Sequence, residues 1–269
     1  MKTIGIIDYY ISEWHANKYT SILEKACEAV GEEFKFAYGY AELDVSLYDN
    51  LTTDEWCAQH GIERCDSIKE LCEKSDYVMI LAPSNPETHL RLASEALKYG
   101  KNTYIDKTFS PDYATAKEIF DIANKYGTKM FSSSALRYAE ELKSFAGERE
   151  LAITGGGGNL PEYIIHQAEM LITLVKESHT AISAVRNGDT YTLDVTFPTA
   201  HATMTYDKSF SYSVAANGGE PVVMKSSFFD ALLADVLRFF LTGEPSFSGD
   251  ETLAVAKLRE DAIKCTEGL

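Results

Sequence analysis

Residues 75–108 read SDYVMILAPSNPETHLRLASEALKYGKNTYIDKT. The run YVMIL, residues 77–81, is short, unbroken and apolar, which suits a buried strand. Asn85 stands where a helix cap belongs. Pro86 follows at the first helical position, where a missing N–H costs nothing. The helix predicted from there runs to Tyr99 and stops at Gly100. Residues 102–106 then form another strand. A strand, a helix and a second strand in this space make a βαβ unit, which implies a parallel sheet.

The same alternation extends in both directions. Toward the N-terminus, residues 3–7 read as a strand ending at Asp8, and residues 34–38 as a second strand. Between them lies a helix over residues 13–30, with Ser12 as the expected N-cap and Gly31 just past its end. Residues 54–59 suit a short helix, and Ser67-Ile68-Lys69-Glu70 is a capping-box pattern opening another. Toward the C-terminus, Ser110-Pro111 starts a helix that stops at Gly127, and residues 129–132 form a strand. This doubly wound region fills residues 1–135.

Beyond it the pattern changes. A helix is expected near residues 137–145, then a strand at 150–154, the four glycines Gly155 to Gly158, and a helix over 161–175. Strands at 180–186, 190–197, 201–206 and 209–215 follow without helices between them. Asn187-Gly188 is a strong hairpin turn, and Asp207-Lys208 reads as a second. Helices over 227–241 and 250–266 close the chain. The expected fold class is therefore α/β plus α+β. Residues 1–135 carry a parallel sheet, and residues 136–269 a mostly antiparallel sheet with helices on one face.

Bulk properties narrow the partners. The 269 residues are 45% hydrophobic, enough for a real core, and the formal net charge of -16 opposes binding to nucleic acid or an anionic membrane. No segment is apolar for long enough to span a bilayer. The first residues read as a strand rather than a signal peptide. The cysteines, Cys27, Cys57, Cys65, Cys72 and Cys265, are odd in number and form no C-x-x-C pair. That pattern indicates neither zinc nor a disulfide framework, and suits reduced thiols in a cytoplasmic protein.

These landmarks together resemble the glucose–fructose oxidoreductase and inositol dehydrogenase (Gfo/Idh/MocA) family. The resemblance covers nearly the whole chain. It rests on the strand YVMIL, the loop APSNPETH with Pro83 and His89, Gly100-Lys101, and Asp106-Lys107-Thr108 where the family usually has Glu-Lys-Pro. It also rests on the segment GGNLPEYIIHQAE, residues 157–169, and on Gly243-Glu244-Pro245.

Such a resemblance implies NAD or NADP on the first domain and a sugar, polyol or related alcohol as substrate on the second. Lys107 matches the lysine that contacts the substrate hydroxyl and the nicotinamide region, and His166 the acid–base histidine. Glu162 sits where the family often has Asp, which makes it a third catalytic candidate. Arg137, Glu169 and Asn159 are candidates for substrate contact, although Arg137 reads first as a salt-bridge former. The cofactor would lie against Asp8, Tyr10 and Ile11, against Pro83, Ser84, Asn85 and His89, and against Lys107. His89 is also readable as a packing residue. A homodimer through the second sheet is a further expectation.

Chemistry gives these residue types a reason. Oxidising an alcohol removes a proton from oxygen, which an imidazole near neutral pKa accepts, while a cation steadies the developing alkoxide. Residues 162, 166 and 169 fall at i, i+4 and i+7, on one helix face. A carboxylate beside His166 would raise its pKa and fix its tautomer.

Three departures from the family stand out. The glycines of the G-x-G-x-x-G fingerprint are replaced by Asp8, Tyr10 and Glu13. The second strand ends Tyr38-Gly39-Tyr40, without the acid that holds the ribose; only Glu42 and Asp44 lie nearby. The stretch between Arg137 and the glycine run is short. Two alternatives to an oxidoreductase therefore stand: a sugar-type ligand-binding or regulatory protein derived from such an enzyme, and a lyase or epimerase using the same acid–base residues.

Overall fold

A computed structural model describes residues 1–269 and divides them into two units. The first comprises residues 1–132 and 230–246, the second residues 133–229 and 247–269.

The first unit is built on a six-stranded sheet. Its strands are β1 (Lys2–Asp8), β2 (Phe34–Ala41), β3 (Glu63–Arg64), β4 (Tyr77–Ile80), β5 (Thr103–Asp106) and β6 (Met130–Ser133), in spatial order β3-β2-β1-β4-β5-β6. The pairings β1–β2, β1–β4, β2–β3 and β4–β5 are parallel. The order reverses direction at β1 and β4, so the C-terminal ends of these strands flank the crevice where open α/β sheets place ligands. Ile4, Ile6, Ile7, Met79 and Ile80 are fully buried there, which explains the unbroken apolar runs of these strands.

Five helices join the strands: α1 (Trp14–Val30), α2 (Thr53–His60), α3 (Ile68–Lys74), α4 (Pro86–Ala96) and α5 (Tyr113–Tyr126). Caps were only partly legible. Thr52 and Glu55 form a full capping box at α2. At α3 the Ser67 side chain accepts from the Glu70 amide, while Glu70 turns to the Asp66 amide instead. Asn85 makes no capping bond, although Pro86 does open α4. α5 is capped by Asp112 rather than Ser110.

The expected boundary at residue 135 misses one helix. α7 (Phe228–Thr242) belongs for most of its length to the first unit. The Phe240 ring stacks on Tyr77 at 4.8 Å, Phe239 meets Phe131 edge-on at 4.9 Å, and the Asn102 amide donates to the Phe240 carbonyl. Aromatic burial and one hydrogen bond outweigh sequence adjacency.

The second unit carries the other sheet, with strands β7 (Glu150–Gly155), β8 (Ala181–Asn187), β9 (Thr190–Thr196), β10 (His201–Tyr206), β11 (Ser213–Ala216) and β12 (Val222–Val223). Their order is β12-β11-β7-β10-β9-β8. The Asn187-Gly188 turn does join the paired strands β8 and β9. Asp207-Lys208 does not form a hairpin, because β7 inserts between β10 and β11 and pairs with β10 in parallel. Helices α6 (Leu160–Val175) and α8 (Gly249–Thr266) supply Ile164, Ala168, Leu171, Leu258 and Ala262 to the core, against Ile153, Leu193, Val195 and Met204 of the sheet. The helix expected near residues 137–145 is two 3-10 segments, Ala135–Tyr138 and Glu140–Phe145. No helix is long and apolar enough to cross a membrane.

Candidate functional site

In the first unit the expected residues gather at the strand ends and the head of α1. β5 ends at Asp106, and Lys107 follows, buried, with a cis peptide to Thr108. Asp106 is wholly buried and well partnered. Its Oδ2 lies 2.5 Å from His15 Nδ1, and its Oδ1 accepts from the Tyr104 hydroxyl at 3.0 Å and the Lys107 amide at 2.8 Å. Burial pushes its pKa up, but His15, Lys107 and Tyr104 outweigh that and leave it below the ordinary value.

The head of α1 differs from expectation. Its cap is Glu13, not Ser12, whose hydroxyl instead donates to Asp49 at 2.7 Å. The Glu13 carboxylate accepts from the amides of His15 at 2.6 Å and Ala16 at 2.5 Å. Asp8 is 1% exposed; its Oδ1 accepts from the amides of Tyr9 and Ala82, while its Oδ2 has no hydrogen-bond partner. Burial and the nearby Glu13 charge hold the Asp8 pKa well above the carboxylate range, and burial raises that of Glu13 too.

The remaining cofactor-side candidates divide by burial. Ile11 and Pro83 are buried, Tyr10 and Asn85 half-buried, and Ser84 exposed. His89 is wholly buried, with Nδ1 3.0 Å from the Phe109 carbonyl and Nε2 2.5 Å from that of Leu81. It ties two loops together and presents no ring nitrogen to a ligand, a correction to its reading as a cofactor contact. Burial lowers its pKa. Beyond β2, Glu42 takes both a 2.7 Å and a 2.6 Å bond from Arg91, and Asp44 pairs with Arg64 at 2.8 Å. Both acids nearest the ribose position are thus engaged by arginine.

The residues at the head of α1 do not fit a dinucleotide seated as the glycine fingerprint seats it. Pyrophosphate binding there needs bare helix amides and room for the backbone to approach. Here Glu13 takes two of those amides, and Asp8 and Tyr10 replace the glycines.

The second unit assembles a separate polar group on α6. His166 Nδ1 lies 2.7 Å from Ser134 Oγ, and the rings of Tyr163 and Tyr212 flank the imidazole at 5.9 and 5.4 Å. The His166 ring thus bonds a hydroxyl, which the sequence did not indicate. Glu169 instead accepts from the Ser134 amide at 3.2 Å, Ser133 Oγ at 3.3 Å and Arg137 Nε at 2.5 Å. Arg137 also donates to Glu251 at 2.7 Å and lies over the Phe247 ring at 3.7 Å. Burial would depress its pKa, yet Glu169 and Glu251 raise it.

Arg137 and Glu169 are therefore bound chiefly to each other, which corrects their reading as open substrate contacts; only Arg137 Nη2 lacks a partner. Asn159 is the N-cap of α6, accepting from the Glu162 amide and donating to the Glu162 carboxylate at 3.1 Å. This cap occupies both residues.

Sequence reasoning missed Ser134. The signal was available: Ser132-Ser133-Ser134 sits at the C-terminal end of a parallel-sheet strand, where ligand-side chemistry concentrates. The glycine run is the tight strand-to-helix turn expected of it. A Cβ on Gly157 (φ +143°) would lie 2.1 Å from the Tyr163 ring, and one on Gly156 2.0 Å from the Asp207 carbonyl. The Tyr206 and Tyr212 hydroxyls donate to the carbonyls of Gly157 and Gly156.

A reversing parallel sheet followed by a mixed, mostly antiparallel one is also the fold of solved dehydrogenases. Residues 12–134 match the model of an oxidoreductase family with an NAD-binding Rossmann fold, Gfo/Idh/MocA. The match lies almost wholly within the first unit, and the chain as a whole shares the fold of solved dehydrogenases of that kind. A curated relative, an uncharacterized oxidoreductase of Schizosaccharomyces pombe, is 36% identical over 56 residues. That match spans 21% of this chain and 15% of the relative's length. The UDP-N-acetylglucosamine 3-dehydrogenase of Acidithiobacillus ferrooxidans is similar in structure, with TM-score 0.75 at 17% identity, covering 98% of this chain and 97% of that one. GenD2 from gentamicin A biosynthesis, solved with NAD, gives TM-score 0.77 at 12% identity over 100% of this chain and 95% of its own.

Proposed function

We propose that this protein is an enzyme of the oxidoreductase family's sugar or polyol type, and that His166 handles the proton of a substrate hydroxyl. The observation that carries this reading is the 2.7 Å bond between Ser134 Oγ and His166 Nδ1. It fixes the imidazole in a setting that Glu169 and Arg137 hold from behind. A positioned imidazole takes a proton from an alcohol oxygen or returns one to it near neutral pH. The aromatic rings of Tyr163 and Tyr212 beside it suit the apolar face of a sugar ring.

Lys107 keeps the role that the family resemblance gives it, a cation at the developing alkoxide. Glu162 remains a candidate acid on the same helix face as His166. The family implies NAD or NADP as redox partner, and GenD2 binds NAD on the same fold. Because the head of α1 does not fit the pyrophosphate, the proton-handling half of the chemistry is the part assigned to residues here.

One observation favours a second reading. Glu13 in the phosphate position suits a protein that keeps a ligand site without hydride transfer. Turnover and ligand binding separate the two. A panel of polyols, sugars and sugar acids is screened by thermal shift, then for product formation with and without NAD or NADP. The first reading expects turnover that His166→Ala and Lys107→Ala each abolish. Unchanged turnover in both variants defeats the site assignment, and a ligand that binds without ever turning over favours the second reading.

A further inference from the structure

We infer that Glu13 is a built-in occupant of the anion seat on α1, so that a dinucleotide pyrophosphate binds there only by displacing it. The inference rests on the geometry of the first loop and not on the proton-handling assigned to His166.

A phosphate at a helix N-terminus is held by amides of the first turn that have no partner within the helix. In this chain the amides of His15 and Ala16 already donate to the two oxygens of one carboxylate, at 2.6 and 2.5 Å. Glu13 is 5% exposed, so these are buried, charge-assisted bonds. The acceptor is tethered to the residue before the helix, so an incoming phosphate competes with a group already at high local concentration.

The surroundings reinforce the exclusion. Asp8 fills the position of the first glycine, is wholly buried, and turns an Oδ2 without hydrogen-bond partner into this region beside the Glu13 charge. Tyr10 adds a ring where the second glycine would leave room. The His15 ring bonds Asp106 through Nδ1 and also lowers the Glu13 pKa against the effect of burial. An anion entering the loop thus meets acidic side chains in place of bare amides, and any charge they carry is of its own sign.

Glu13→Ser tests this directly, since serine is itself a good N-cap and keeps the helix start while removing the carboxylate. NADH and NADPH are titrated into wild-type protein, Glu13→Ser, and the triple variant Asp8→Gly/Tyr10→Gly/Glu13→Gly. Binding is followed by cofactor fluorescence and by calorimetry, and folding by circular dichroism. Wild type is expected not to saturate at millimolar cofactor. Glu13→Ser should gain affinity on the order of tenfold, and the triple variant more. Wild-type binding as tight as that of Glu13→Ser overturns the inference. So does a folded triple variant that binds no better than wild type. Tight wild-type binding would overturn this inference while leaving the proposed function standing, whereas unchanged turnover in His166→Ala and Lys107→Ala would defeat the proposed function alone, so the two failures are distinguishable.

Discussion

At the head of α1 the first unit buries Asp8, Glu13 and Asp106 close together; Asp106 is bonded to His15, while Asp8 keeps an oxygen without a hydrogen-bond partner. In the second unit Arg137 stands between Glu169 and Glu251; Glu169 Oε1, which takes Arg137, also accepts from the Ser133 hydroxyl, and its Oε2 accepts from the Ser134 amide. Both are polar clusters in the same chain, but only the second is balanced in the sense that a cation bonds each of its carboxylates. A balanced cluster fixes geometry, here that of Ser134 and through it His166. An unbalanced one leaves carboxylates that prefer a proton and closes a position where an anion would otherwise go. The contrast assigns positioning to one cluster and exclusion to the other.

The largest expected effect comes from breaking the balanced cluster. Arg137→Met leaves buried Glu169 and half-buried Glu251 without their cation, which should cost roughly 3–5 kcal/mol in urea unfolding. A loss within the scatter of ordinary surface variants would show that the ion pairs are not integral to the second unit. Replacing Glu169 by Gln in the same background should recover part of the loss, because one orphaned charge disappears.

A smaller loss is expected at the glycine turn. Gly157→Ala forces a Cβ toward the Tyr163 ring at a backbone angle that favours glycine. It should cost about 1–3 kcal/mol and shift the Tyr163 ring signals in an NMR spectrum. Unchanged stability and unchanged ring signals would mean that the turn has more room than its geometry shows.

The unbalanced cluster predicts a change of opposite sign. The Asp8 pKa is raised in the folded protein by burial and by Glu13. Its contribution to stability is therefore fully present below the unfolded pKa and is lost as pH rises through the folded one. Asp8→Asn removes that loss while keeping an oxygen for the Tyr9 and Ala82 amides. It should stabilise the protein by about 1 kcal/mol at neutral or mildly alkaline pH, with the gain fading toward acid. Thermal melts across that range check it; a variant less stable at every pH contradicts the charge-crowding account.

Much of the architecture was readable because helical and strand periodicities differ and because glycine and proline punctuate this chain at Gly31, Gly100, Gly127 and Pro86. β3 was not readable, since two residues carry no period. The insertion of β7 between β10 and β11 was not readable either, because strand order is set by non-local pairing. α7 follows the second sheet in sequence, yet Phe239 and Phe240 find their partners in Phe131 and Tyr77.

The site shows the same division. Lys107 and His166 stand out as candidates through motif position alone. The bonding of Arg137 with Glu169, and of Asn159 with Glu162, depends on side-chain geometry that spacing does not report. Glu13 was recognised as a misfit to the glycine fingerprint, but its role as helix cap was assigned to Ser12. Serine is the commoner cap, and only the structure commits its hydroxyl to Asp49.

The most direct measurement is residue-resolved amide hydrogen exchange at His15 and Ala16, with and without NADH. In wild type these amides should be protected by Glu13 and unaffected by the dinucleotide. In Glu13→Ser the His15 amide should exchange faster and regain protection when NADH is added. Extra protection of both amides by NADH in the wild-type protein would contradict the claim that Glu13 already occupies their place.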